Sequence, residues 1–114
     1  MTDTLFFNGN ILVMEEDLYA EALLIRNGRI FAYGDYKELY NLARDNTLLV
    51  DLKKNTLMSS VINFDSDLNS IINLPADLVI LNKDPMKSSI EELKSLKILE
   101  IIENGVTIFK DNIN

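Results

Sequence analysis

Apolar residues recur along this chain in short alternating runs, punctuated by three Asn-Gly pairs at Asn8-Gly9, Asn27-Gly28 and Asn104-Gly105. Asn-Gly suits the two-residue turn of a hairpin, where both central residues need positive φ. Ala22-Leu-Leu-Ile-Arg26 and Arg29-Ile-Phe-Ala-Tyr33 flank the second pair, and Ile98-Leu-Glu-Ile-Ile-Glu103 and Val106-Thr-Ile-Phe-Lys110 flank the third. Both read as hairpins. Thr4-Leu-Phe-Phe7 and Ile11-Leu-Val-Met14 flank the first pair and predict another hairpin, with Asn10 lengthening its turn. Further strands are expected over residues 47–52 and 77–81. The second of these is a continuous apolar run and therefore belongs inside a sheet.

Two helical patterns interrupt the strands. Asp35 is an N-cap candidate with Glu38 three residues on, and Tyr36, Leu39, Tyr40 and Ala43 follow at helical spacing. That is a capping box opening a helix to about Arg44. Ser89 and Glu92 form a second box, ahead of Ile90, Leu93 and Leu96. Early acids and the later Lys94 and Lys97 suit that helix's dipole. Residues 59–75 carry Asn63, Asp65, Ser66, Asp67, Asn69, Ser70 and Asn73, which favour turns, so they read as a connecting loop. About eight short strands and two small helices predict a mainly β fold, a small antiparallel β-sandwich or half-open barrel.

Composition narrows the chemistry. A chain of 114 residues is expected to form one domain with one modest core. Eleven basic residues are scattered among eighteen acidic ones, for a net charge of −7. That balance argues against nucleic acid or an anionic membrane as a partner. The N-terminal residues have neither a basic region nor a long apolar one, so no signal peptide is expected there. No run of about 18 apolar residues is present to span a bilayer. With no cysteine to form disulfides, a cytoplasmic location is expected.

The chain has no His and no Cys. Ser-His and Cys-His nucleophiles are excluded, as is zinc held by imidazole or thiolate. The four glycines are isolated, so there is no phosphate-cradling loop, and Gly34 reads as a strand-to-helix turn before Asp35. Asp65-Ser-Asp67-Leu-Asn69 opens like a calcium loop but has Ser70 where Gly is needed and Ala76 where Glu is needed. It reads as a solvated polar loop. Asp77, just before an apolar strand, reads as a carboxylate bonded to nearby backbone or to an Arg. The aromatics Phe6, Phe7, Phe31, Tyr33, Tyr36, Tyr40, Phe64 and Phe109 are spread over several elements and read as core.

Both ends of the chain resemble the amidohydrolase superfamily of metal-dependent hydrolases, which act on non-peptide C–N bonds. Residues 3–14 and 20–34 resemble the family's first two hairpins, and Val50-Asp-Leu-Lys-Lys-Asn-Thr-Leu-Met58 resembles its run into the catalytic barrel. Ala76-Asp-Leu-Val-Ile-Leu-Asn-Lys-Asp-Pro85 resembles the return strand, and residues 91–109 the terminal helix and hairpin. In the family these flanks form a composite β-sandwich beside the barrel.

The departures matter as much. The family continues Pro-Gly-Phe-Ile-Asp and then reaches a metal-binding His-x-His. Here Ser59-Ser60-Val61-Ile62-Asn63 stands instead, with Asp65 and Asp67 where the histidines would be. A barrel takes roughly 200 residues or more. The expected organisation is one composite domain over residues 1–114: an N-terminal flank (1–58), a loop replacing the barrel (59–75) and a C-terminal flank (76–114).

The resemblance thus implies a non-catalytic domain of such a hydrolase, inactive alone. The divalent metal of the parent family, zinc, gains no ligand here, and no catalytic, cofactor-binding or metal residue is carried over. A free-standing interaction or dimerisation module is the alternative. Surface left exposed without the barrel would then support a homo-oligomer.

Overall fold

A computed structural model of the chain describes residues 2–13, 19–60 and 71–111. Eight strands and two short helices occur among them: β1 (Thr4–Leu12), β2 (Tyr19–Arg26), β3 (Arg29–Gly34), α1 (Tyr36–Leu42), β4 (Leu48–Asp51), β5 (Thr56–Ser59), β6 (Leu78–Leu81), α2 (Ile90–Leu93), β7 (Ile98–Glu103) and β8 (Val106–Lys110). The fold is mainly β, as expected. The strands form one open sheet in the order β3-β2-β1-β5-β6-β7-β8, with β4 on β1. Pairings are antiparallel except β1 with β4 and β1 with β5, which run parallel.

The expected hairpins at Asn27-Gly28 and Asn104-Gly105 form, with positive φ at all four residues. The expected hairpin at Asn8-Gly9 does not. Here β1 runs straight through the pair, and its register on β2 shifts between Phe7 and Ile11. The reason lies in which faces are buried. Phe6 and Ile11 both enter the main core, yet they are five positions apart and simple alternation would oppose them. A bulge through Asn8, at φ 58, restores the parity. Gly9 is required for a different reason: a Cβ there would lie 2.5 Å from the Asn55 carbonyl oxygen and 2.7 Å from Leu52 Cβ.

Two cores form because β1 and β2 bury both faces. Leu23 and Ile25 join Phe6, Ile11, Leu57, Leu78, Ile80 and Ile102 in the larger one. Leu5, Ala22 and Leu24 point the other way, under Leu39 of α1. Four of the five antiparallel pairings carry a register shift. Each such shift bends and twists its strand, and the sheet curls until its far ends meet. Ala76 makes the closure: its N–H donates to Gly28 O at 2.8 Å and its O accepts from Gly105 N–H at 3.0 Å. Residues 73–76 also cover the β3 edge, where Ile30 bonds both Asn73 and Leu74.

The helices are smaller than expected. In α1 the Asp35 side chain accepts from Lys37 N–H, while Tyr36 N–H donates to Glu21. No reciprocal bond from Glu38 completes a box among the described residues. In α2 the Ser89–Glu92 box is present in full, but the helix is a single turn and Ile90 and Leu93 stay exposed. No helix among the described residues is long and apolar enough to cross a membrane.

Candidate functional site

Three places gather chemistry, and each is built by the sheet's own geometry. The first is a cleft of about 760 Å³ beside the turn between β4 and β5. Lys53, Lys97 and Lys110 line it with Asp51, Glu100 and Asp111, which leaves these six formally neutral. Asp51 accepts from Asn8 Nδ2 and from Lys53 N–H, both at 2.8 Å. These bonds, the Lys53 N–H first, hold its carboxyl below the usual range. Thr107 Oγ1 donates to Glu100 at 2.6 Å. No hydroxyl, thiol or imidazole is among the residues lining the cleft. It therefore lacks the Ser-His or Cys-His type of nucleophile–base pair.

The second place is Tyr19, whose hydroxyl donates to Asp84 Oδ2 at 2.5 Å while Lys87 Nζ lies 4.5 Å from its ring centroid. The bond to Asp84, helped by burial, pushes the Tyr19 hydroxyl up to about 12. Its proton is thus held on the phenolic oxygen at neutral pH, bonded to Asp84. Asp84 also accepts from Met86 N–H, and Ser88 Oγ donates to its carbonyl. The cluster pins the loop after β6 onto the start of β2.

The third is Asp3. Arg26 Nε and Arg44 Nη2 approach its two oxygens at 2.8 Å, and its side chain has no solvent exposure. The Arg44 bond leads in holding its carboxyl below the usual range, against burial, with Arg26 adding to it. Arg26 also donates to Leu42 O at 3.0 Å, tying the end of α1 to β2. This is a structural clasp, with both carboxylate oxygens spent inside the protein.

Among the residues weighed from sequence, Asp77 accepts from Asn104 N–H at 2.8 Å and supports the β7–β8 turn. Asp65, Asp67, Asn69, Ser70 and Phe64 lie outside the described residues. No group of three potential metal-binding side chains occurs among the described residues. The aromatics divide: Phe6 is buried, Phe7, Tyr33 and Tyr36 are partly so, and Phe31, Tyr40 and Phe109 are exposed. The core reading therefore fails for those three. Sequence reasoning also missed the Tyr19–Asp84 and Asp3–Arg44 contacts, whose partners are 65 and 41 residues apart. No local spacing signals such pairs.

No protein-family model and no curated protein matches the chain. Two solved structures are similar to about half of it. One is an uncharacterized metal-dependent hydrolase from Pyrococcus furiosus, 24% identical over 50% of this chain and 13% of that one, with a TM-score of 0.44. The other is an uncharacterized metal-dependent hydrolase from Pyrococcus horikoshii OT3, 26% identical over 51% of this chain and 12% of that one, with a TM-score of 0.41. The matched part of each is about an eighth of its length.

Proposed function

We propose that this chain is a non-catalytic composite β domain of an amidohydrolase-type metal-dependent hydrolase, without the barrel that performs the chemistry. One observation supports this most. The two flanks meet as neighbours in the sheet: Ser59 pairs with Leu78, and Ser60 N–H donates to Asp77 O at 2.8 Å. A domain inserted in a loop needs its host's two attachment points close together, and this arrangement supplies them. The absence of His and Cys from the sequence agrees with a role that performs no metal chemistry of the family's kind.

Purified protein supplied with zinc or manganese and simple amide substrates is expected to release no product above the metal-only rate. Saturable turnover would overturn the reading. The DNA between the Met58 and Ala76 codons of the native gene provides a second test. A long reading frame there encoding His-x-His identifies an excised barrel; a continuous short coding sequence removes excision from that gene as the explanation.

A further inference from the structure

The two terminal edges of the sheet are treated differently. Among the described residues, 73–76 cover β3, whereas β8 ends the sheet with all five of its residues exposed. Val106, Ile108 and Phe109 are each about half exposed, at 54%, 56% and 47%. A bare apolar edge of this kind templates further strand pairing.

The register says which backbone groups are available. The two-residue turn makes Glu103 and Val106 a bonded pair, so Thr107, opposite Ile102, is the next, non-bonded one. Ile108 is the extra residue of the bulge. Asp111 N–H then bonds Leu99 O at 2.8 Å, which makes Lys110, opposite Glu100, non-bonded as well. Thr107 and Lys110 therefore both direct N–H and C=O away from β7. Two such residues with two between them are self-complementary under a two-fold axis.

We propose that β8 pairs antiparallel with β8 of a second copy of this chain, Thr107 of each opposite Lys110 of the other. Ile108 and Phe109 of both copies then meet at the axis. Charge favours this occupant and this direction. Lys110 of one copy comes beside Thr107 of the other, whose hydroxyl is bonded to Glu100. A Lys–Glu attraction is thus made twice, whereas parallel pairing brings like residues together. The pairing is isologous, so it closes at two copies. A single five-residue strand pair falls below the roughly 1,200 Å² of ordinary stable interfaces, so the pairing belongs with weak associations, and a dissociation constant on the order of 100 µM is expected.

Sedimentation of the full chain from about 10 µM to about 1 mM, spanning that constant, tests the proposal. Wild type is expected to pass from monomer to dimer. Thr107→Pro removes an outward N–H at an edge position where proline is tolerated, so the β7–β8 ladder remains, as circular dichroism will show. Lys110→Glu sets carboxylate against carboxylate. Each variant is expected to weaken the dimer at least tenfold; where Thr107→Pro fails to fold, Lys110→Glu decides. A strictly monomeric wild type, open-ended assembly, or a folded variant with undiminished dimerisation overturns the proposal. None of these outcomes depends on the hydrolase reading, which the turnover assay tests separately.

Discussion

Asp3 is the residue on which acid sensitivity should turn. Its folded carboxyl lies below the ordinary value of 3.8, chiefly through Arg44. Such a group stabilises the fold fully above its unfolded value, and that contribution is lost as pH falls through the lower folded one. Asp3→Asn leaves Arg26, mostly buried, without its anion. At neutral pH it should cost about 2–3 kcal/mol, less than the roughly 3–5 kcal/mol of a fully buried pair because Arg44 is more than half solvated. Denaturation of both proteins from neutral to acid pH checks this, with the gap expected to narrow below about pH 4. Thr56 presents the opposite case. It is fully buried in β5, and its hydroxyl has no hydrogen-bond partner among the described residues. Thr56→Val keeps the shape and removes the unsatisfied oxygen, so it should raise stability by about 1 kcal/mol in urea denaturation.

Among the elements, the turn between β4 and β5 is the least expected from sequence. Lys53 and Lys54 both take positive φ, at 52° and 70°, in the conformation that Asn-Gly adopts elsewhere in this chain. Asp51 and Asn8 hold the turn in place of favourable residue chemistry, through Lys53 N–H and the Asn8 carbonyl's bond from Lys54 N–H. A left-handed residue with a Cβ costs roughly 1 kcal/mol, so Lys54→Gly should raise the thermal midpoint by a few degrees.

The same turn explains what the sequence concealed. The pattern predicts a strand over residues 47–52 and none over 53–58, because nothing in Lys-Lys announces a turn after which the chain resumes in the same direction on the same edge, and β5 went unseen. Asn8-Gly9 read as a turn because a bulge uses the same residue chemistry. These two errors offset, so the expected number of strands was right while their identities were not. The hairpins at Asn27-Gly28 and Asn104-Gly105 were legible because turn residues and alternating flanks agree there. The absence of a His or Cys site was legible from composition alone. The lysine-and-acid cleft was not, since it draws on strands from both ends of the chain.

At the scale of the whole molecule, β1 is the shared element. Its first half pairs with β4 and its second with β5 along one edge, while β2 takes the other. N-terminal and C-terminal strands thereby enclose the larger core. The side-by-side meeting of Ser59 with Leu78 also has a practical meaning for protein engineering. It makes the molecule a host frame whose two attachment points, Ser60 and Asp77, are hydrogen-bonded neighbours. A guest protein whose own ends lie together fits there without stretching the β5–β6 ladder. The same guest placed in β1 would cut the strand on which both halves of the sheet are hung.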